Sequence, residues 1–563
     1  MDALAARGVR FERAYATAPI TLTSHASLMT GRYPPGHGAR HNGMRMNLET
    51  PTLAETLGRS GFATGAFVGA FPLDRRFGLI KGFSDYGDRM PRGPQGRIAN
   101  ERPGSTVVDE AIAWLDKQRN SRFFLWVHLF EPHAPYGSPG DRSPADVRYD
   151  GEVAESDRQI GRLIAALGPA AASTLIVLTA DHGEAFGEHG EIGHSIFVYD
   201  TTLRVPLILA GPGLTQRVVG DPVTLVDIAP TVTRWLGVGA FDSDGVDLAP
   251  VLMSVASGKA KAGNTLSERE LYGESFAPLL DFGWSPLRSV RADGFKFIAA
   301  PKPELYALAT DEGEMRNVLG RDQKRAAALA DRVDRISSAT LPSESAVDPE
   351  TAGRLQALGY VSGSPAAQGS SRPDPKDRRE LAARIARVTS GELSGADLES
   401  ALRAILKDDA QNPQAHMRLG YVLAETNRCP EAEPHFRAAI SARLPTADAH
   451  LGLASCYAAA RRFDQALAAL RDAAALEPDN PVVIANQGVL TSDSGQPLAA
   501  VPLLQRALTL DPDFHQARFN LAIAFARAGR RQEAASEATE LLKRLPAGAP
   551  QRSEVERLLA AVR

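Results

Sequence analysis

Cysteine is almost absent from this chain of 563 residues, which contains only Cys429 and Cys456. Two cysteines exclude both a disulfide framework and a cysteine-based metal site. The chain also lacks any apolar run near the ~20 residues that span a bilayer, and its net charge of −4 gives no reason to expect nucleic-acid binding. Its content of 44% hydrophobic and 23% charged residues instead indicates a globular chain of roughly three or four domain-sized units.

The stretch richest in ionisable groups begins at Asp181 and His182. It follows the apolar run of residues 174–179, which predicts a buried strand of a parallel sheet. Open α/β sheets bind ligands at the carboxyl ends of such strands, and two further imidazoles, His189 and His194, follow closely. The pattern predicts a metal site with additional acid/base groups. The alternative is a loop in which Asp181 caps a helix.

Hydroxyl groups collect before a helix predicted at residues 26–30. They belong to Thr21, Thr23 and Ser24, and His25 follows them directly. The positive end of the helix dipole would stabilise an anionic ester bound beside these hydroxyls. The alternative is that one of the hydroxyls simply caps the helix.

Helices and apolar strands alternate over the first half of the chain. The predicted helices are residues 53–60, 107–118, 153–167 and 227–236, and the predicted strands are residues 63–68, 123–129, 174–179 and 205–209. This alternation is typical of an α/β fold with a doubly wound, mostly parallel sheet. His133 follows one of these strands between Pro132 and Pro135. Because the prolines fix the backbone on both sides, His133 is a further candidate site residue.

The hydrophobic period changes near residue 289. Residues 289–298 predict a β-hairpin that turns at Asp293 and Gly294. This hairpin indicates a small antiparallel subdomain over about residues 285–361. The Ser-, Gly- and Pro-rich residues 362–378 then predict a linker.

Beyond the linker the sequence repeats with a period of 34 residues, marked by Ala432, Ala466, Ala500 and Ala534. Helix–turn–helix units of this period resemble the tetratricopeptide repeat. We therefore expect an all-α superhelix over residues 379–563, with four repeats at about residues 413–546 and a capping helix after them. Such a groove normally binds a protein or peptide; the alternative is a dimerisation or spacer element.

Residues 1–361 resemble the sulfatase-like branch of the alkaline-phosphatase superfamily. The matching motifs, in the order of that family, are Thr21–Arg32, Pro34–Gly38, Glu131–Pro135, Asp181–Gly183, Arg204–Pro206, Asp227–Thr231, Glu304–Tyr306 and Leu358–Tyr360. The resemblance implies an alkaline-phosphatase-like sheet, one divalent metal ion and an ester substrate. It also implies a metal ligand set of Asp181, His182 and Thr21.

Several residues depart from the sulfatase pattern and alter the expected substrate. Thr21 stands where sulfatases have a cysteine or serine that is oxidised to formylglycine, and threonine cannot form that aldehyde. The resemblance therefore favours a phosphate-ester or phosphodiester hydrolase or transferase; a sulfuric ester hydrolase is the alternative. His25 stands in place of an arginine, and the spacing from His182 to His194 is similar to that of phosphoethanolamine transferases. A histidine ligand favours zinc or manganese over calcium or magnesium.

The resemblance also implies roles for the other candidates. Thr21 is the expected nucleophile, His133 and His194 are expected to contact substrate oxygens or protonate the leaving group, and His25 is expected to contact the anion. Two other groups, Glu184 and His189, are candidates for orienting the metal ligands. Arg32 is equally well explained as a structural residue.

Members of this family open with a central strand and an acidic ligand that would lie upstream of Met1. The resemblance thus predicts an N-terminally truncated chain. We expect a periplasmic or membrane-associated protein if an upstream segment exists, and a cytoplasmic one otherwise. A further alternative is a catalytically inactive domain that acts as a protein-interaction scaffold.

Overall fold

The computed structural model describes residues 1–91, 99–138, 141, 143–253, 266, 269–337, 351, 354, 372–442, 447–545 and 548–563. The described residues form two compact units. The first unit is drawn from residues 1–90, 100–347 and 357–392, and the second from residues 91–99, 348–356 and 393–563. The motif Leu358–Tyr360 and most of the predicted linker lie outside the described residues.

Short strands build the sheets of the first unit. In chain order they are β1 (Val9–Tyr15), β2 (Ala63–Val68), β3 (Asp85–Gly87), β4 (Phe123–His128), β5 (Ile176–Thr179), β6 (Ala185–Phe186), β7 (Ile192–Gly193), β8 (Arg204–Ala210), β9 (Arg217–Val219), β10 (Val223–Thr224), β11 (Leu271–Ser275), β12 (Leu287–Ala292), β13 (Phe295–Ala299) and β14 (Glu304–Ala307).

Two of these sheets carry the α/β core. One has the order β10-β1-β8-β5 with β9 beside β1, and the other has the order β3-β2-β4. The second sheet is wholly parallel, whereas β8 runs antiparallel to both β1 and β5. The predicted α/β class is confirmed, with mixed rather than uniformly parallel pairing in the larger sheet.

The first unit also contains α-helices. They are Asp2–Ala5, Thr21–Thr30, Pro34–His37, Leu53–Arg59, Gly104–Lys117, Ala145–Ala166, Asp200–Leu203, Ile228–Trp235, Ala249–Met253, Ala277–Phe282, Gln323–Ile336 and Arg379–Thr389. The long helix Ala145–Ala166 packs on both core sheets. Its Leu163 joins the apolar cluster of Trp114, and its Ile164 joins the cluster of Ile208. This shared helix keeps the two sheets side by side.

One helix start differs from the prediction in a way that matters for the site. The helix predicted to begin at Ala26 begins at Thr21 instead. Ile20 occupies the N-cap position without a side-chain hydrogen bond, and the Leu22 N–H donates to the Asn42 side-chain oxygen at 3.0 Å. Because this bond comes from outside the helix, local capping rules could not locate the start.

The predicted hairpin is present in a separate antiparallel sheet with the order β11-β12-β13-β14. Its turn falls at Asp293 and Gly294, which have φ angles of 54° and 77°. Two successive residues with positive φ are the requirement of a type I′ turn, which an Asp-Gly pair satisfies readily.

The second unit is all-helical, as predicted. Its helices are Gly395–Asp408, Pro413–Glu425, Cys429–Ser441, Asp448–Ala459, Phe463–Leu476, Pro481–Asp493, Pro497–Leu510, His515–Arg527, Arg531–Arg544 and Arg552–Val562. Cys429 and Cys456 form one disulfide between successive helices. In the part of the chain that the structure describes, no helix combines the length and apolar character needed to cross a membrane.

Small residues let the repeat helices approach closely. Phe436 is fully buried, and a Cβ added at Gly452 would lie 2.4 Å from its ring. A Cβ at Gly420 would lie 2.7 Å from the same ring. Glycine is thus required on both sides of Phe436 by simple exclusion of volume.

We predict that Gly452→Ala destabilises the repeat region by about 1–3 kcal/mol, because the added methyl overpacks the core around Phe436. Gly161→Ala is the matched control, since Gly161 is also helical and a Cβ there meets nothing within 4 Å. That control should be neutral or slightly stabilising through helix propensity. Urea unfolding of both variants measures the difference; equal stabilities would contradict the packing argument.

Candidate active site

The first part of the site is the helix Thr21–Thr30, which abuts the loop after β5. The Ser24 hydroxyl donates to the backbone carbonyl of Asp181 at 2.5 Å. The His25 Nδ1 lies 3.6 Å from Asp181 Oδ2 and donates to the Thr21 carbonyl at 2.8 Å. The structure therefore places Thr21, buried at the first turn of the helix, one turn from a ring that contacts the Asp181 carboxylate.

Three imidazoles surround that carboxylate. His182 Nε2 lies 3.4 Å from Asp181 Oδ2, opposite its Nδ1 contact with the Gly183 carbonyl. His128, the last residue of β4, packs against His25 with ring centroids 5.0 Å apart. His128 was not among the predicted site residues. Its position at a strand end, the same signal that singled out His133, would have found it.

The imidazoles around Asp181 form a first cluster, and a second cluster adjoins it through His182. The His194 Nδ1 lies 3.0 Å from Glu184 Oε2, and the rings of His182 and His194 are 4.1 Å apart. The ring of His133 lies 5.4 Å from that of His194. The structure thus brings His133, Glu184 and His194 together.

His133 is held in place by its surroundings. Its ring stacks on Phe130 at 4.0 Å, its backbone N–H donates to Glu152 at 3.0 Å, and its Nδ1 donates to the Ala134 carbonyl at 2.7 Å. Its Nε2 is buried and has no hydrogen-bond partner among the described residues. The lone pair on this nitrogen is therefore available to a ligand in the site.

Residues 1–238 match the family model described as Sulfatase. Residues 397–444, 423–481 and 492–562 match models described as tetratricopeptide repeat. The amino-terminal domain is a sulfatase-family domain. The helical unit that follows it carries tetratricopeptide repeats.

Curated relatives of this chain are themselves named as sulfatases. "Uncharacterized sulfatase YidJ" of Escherichia coli is 25% identical over 395 residues, which is 57% of this chain and 77% of that protein. "Delta 4,5-hexuronate-2-O-sulfatase" of Bacteroides thetaiotaomicron is 23% identical over 401 residues, 59% of this chain and 81% of that protein. "Choline-sulfatase" of Rhizobium meliloti is 23% identical and covers 56% of this chain and 77% of that protein.

Solved structures share the fold. The crystal structure titled Ps i-CgsB superposes with a TM-score of 0.51 at 18% identity, covering 63% of this chain and 90% of that one. At this identity the likeness concerns the fold of the sulfatase domain alone.

The protonation states of the sulfatase domain suit a bound cation. Burial tends to raise the pKa of the Asp181 carboxyl, but the nearby imidazoles of His182 and His25 outweigh burial and hold the pKa well below its usual range. Burial lowers the pKa of His128 to about 3 and that of His133 to about 4. An ionised carboxylate among neutral imidazoles is the state in which these groups bind metals. The donor set therefore fits a divalent metal ion, the kind of ion that sulfatase-family enzymes bind.

His194 and Glu184 differ from these neutral imidazoles because they form a charged pair. Burial would lower the pKa of His194, yet the neighbouring Glu184 carboxylate raises it above the usual value. The His194 charge in turn overcomes burial and lowers the pKa of Glu184 to about 2. This ion pair keeps a proton on His194, which is what a general acid requires.

Two further predicted candidates, His189 and Arg32, have partners outside the two histidine clusters. His189 stacks on Tyr199 at 3.7 Å, and Tyr199 accepts a hydrogen bond from Arg379 at 2.7 Å. Arg32 pairs with Asp244 at 2.9 Å and with Asp242. These contacts give both residues structural partners.

Glu191 supports the loop that carries His194. It is buried and accepts hydrogen bonds from the backbone N–H groups of Ile196 and Phe197. Burial raises its pKa to about 8. The folded domain therefore holds the Glu191 proton more tightly than the unfolded chain does. The stabilisation that Glu191 gives the folded state is fully present below about pH 4 and is lost as the pH rises to 8.

We predict that Glu191→Gln reduces the loss of stability between about pH 5 and pH 8, because glutamine cannot ionise. The difference between parent and variant should reach on the order of a few kcal/mol at pH 8. Urea unfolding at several pH values measures it, with the exposed Glu188→Gln as control. Parallel pH profiles for the parent and Glu191→Gln would contradict the prediction.

Proposed function

We propose that residues 1–361 form a metal-dependent hydrolase or transferase that acts on phosphate esters or diesters through Thr21, and that residues 362–378 link it to a protein-binding repeat region at 379–563. One observation carries the enzymatic proposal. Thr21 begins a buried helix whose next turn contacts the Asp181 carboxylate. The helix that carries the Thr21 hydroxyl therefore adjoins the Asp181 carboxylate through the His25 imidazole.

The expected metal ligands are Asp181, His182 and Thr21. A divalent ion held there would lower the pKa of the Thr21 hydroxyl and favour its alkoxide. The N-terminal end of the helix also favours negative charge at Thr21, since its peptide dipoles point their positive ends there. An anionic ester is stabilised at the same position.

The chain's own residues account for the bond changes. The Thr21 oxygen attacks phosphorus, forming a phosphothreonine and breaking the bond to the leaving oxygen. His194, kept protonated by Glu184, donates its proton to that oxygen. Water or an alcohol then attacks phosphorus, gives its proton to the now neutral His194 and releases Thr21 as the alkoxide, which completes hydrolysis or transfer. The Nε2 of His133 can accept a hydrogen bond from the attacking group and orient it.

A sulfuric ester is the second candidate substrate, because the relatives named above are sulfatases. Thr21 argues against it, since threonine cannot be oxidised to formylglycine. Hydrolysis of 4-nitrophenyl sulfate, compared with that of bis(4-nitrophenyl) phosphate, separates the two chemistries. A chain that holds no metal and turns over neither ester would instead be an interaction scaffold.

The repeats are the proposed binding region for a protein or peptide partner. Tetratricopeptide helices stack in pairs and leave an extended concave face, which in such folds carries the binding surface. Nothing in this role requires catalysis, so partner binding and ester turnover can be measured separately.

We predict that Thr21→Ala lowers turnover of bis(4-nitrophenyl) phosphate by on the order of 1,000-fold or more, because the covalent route needs the hydroxyl. Thr30→Ala is the control: Thr30 is a buried threonine of the same helix whose hydroxyl donates to the Ala26 carbonyl. Mass spectrometry after acid quenching should detect phosphothreonine in the parent. Full activity of Thr21→Ala would rule out the covalent mechanism.

We predict that the effect of His194→Gln depends on the leaving group. For alkyl esters, whose leaving oxygen needs a proton, the rate should fall about 100- to 10,000-fold. For 4-nitrophenyl esters, whose leaving group departs as an anion, the decrease should be much smaller. Initial rates over a series of esters give this dependence; an equal loss for every ester would show that His194 is not the acid.

A further inference from the structure

We propose that His25 and His128 are metal ligands, and that with Asp181 they form an imidazole-rich site for a zinc-like cation rather than calcium or magnesium. The proposal deepens the proposed function and rests on its metal dependence. It replaces the anion contact predicted for His25 from the sequence, and it gives a role to His128, for which no role was predicted.

The three side chains converge from separate elements. His25 lies on the helix Thr21–Thr30, His128 ends β4, and Asp181 follows β5. One ligand atom from each residue lies within 4.8 Å of the other two. The ligand atoms of a tetrahedral zinc site are about 3.3 Å apart. Small side-chain rotations therefore bring the three donors onto one ion.

Backbone groups orient both imidazoles. The His25 Nδ1–H donates to the Thr21 carbonyl at 2.8 Å, which leaves a lone pair on Nε2. The Gly69 N–H donates to His128 Nδ1 at 3.3 Å, a long bond that a cation at that nitrogen replaces at small cost. The bond from His25 is the usual arrangement around metal ions, in which a ligating histidine donates its other ring N–H to a neighbouring polar group.

The chemistry of the donors selects the metal. Two imidazole nitrogens and one carboxylate oxygen match zinc and similar transition metals. Calcium prefers six to eight oxygen ligands, and magnesium prefers oxygen ligands and water. His182, with Nε2 3.4 Å from the same Asp181 oxygen, keeps its predicted place as a further ligand. An ion there also offsets the buried Asp181 charge and leaves positive charge for an anionic ester.

Cobalt(II) titration of the full-length chain tests the site, because a cobalt ion with nitrogen ligands absorbs visible light. After treatment with a chelator, the parent should bind one cobalt per chain, zinc should displace it, and millimolar calcium should not. His25→Ala and His128→Ala should each weaken cobalt binding by on the order of 100-fold or more. Circular dichroism checks that each variant is folded. His128→Gln, which keeps a polar side chain at this position, is a second variant for the same test.

Two control variants define specificity. His189→Ala removes an imidazole that stacks on Tyr199 outside the cluster. His416→Ala removes one of a histidine pair in the repeats whose Nδ1 atoms are 2.8 Å apart, a possible source of adventitious cobalt binding. Both variants should retain the parent's spectrum and affinity. Loss of the signal in His416→Ala alone would overturn the proposal.

The remaining outcomes are equally decisive. Parent-like cobalt binding by both His128 variants, or a preference of the parent for calcium, would overturn the proposal. Thr21→Ala separates it from the proposed reaction: a variant that binds cobalt, with affinity reduced at most tenfold, and has lost ester turnover supports both. Retained cobalt binding with full turnover would remove the threonine mechanism while the metal site stands.

Discussion

The contact between the helix Thr21–Thr30 and Asp181 is the interaction on which the site depends. Ser24 and His25 hold the backbone and the side chain of Asp181 from the helix. Without this contact, the hydroxyl of Thr21 and the metal-binding loop would be parts of unrelated segments. Because Asp181 is buried, its carboxylate needs partners that stabilise its charge, and this requirement keeps the helix and the loop together.

The two histidine clusters differ in the protonation states of their imidazoles. Beside Asp181, burial lowers the pKa of His128 and that of His182, which keeps these two imidazoles neutral and so suited to a cation. Next to them, the Glu184 carboxylate raises the pKa of His194 and keeps it protonated. His182 touches both groups. A single loop after β5 thus supplies both the proposed metal ligand His182 and the proposed acid His194, whose protonation states are set by different neighbours.

The loops around the site are braced by a segment far along the chain. Arg379 donates to Tyr199, against which His189 stacks, and Glu392 pairs with Arg148 at 2.9 Å. Arg148 in turn donates to the Tyr136 carbonyl in the loop after His133. Residues 379–392 thereby contact the surroundings of both histidine loops, through Arg379 on the helix Arg379–Thr389 and through Glu392 after it. The rigidity of these loops matters, because small displacements of catalytic groups cost large factors in rate.

The sequence by itself determined the α/β class, the sulfatase-family domain and the repeats, because hydrophobic period, motif order and the 34-residue spacing are local or periodic signals. It also singled out Asp181, His182, His133 and His194 by their places after strands. Only the tertiary structure decided that Thr21 begins its helix, since the capping group comes from Asn42. It alone placed His128 beside His25, because contacts between distant segments arise from packing that no local pattern encodes.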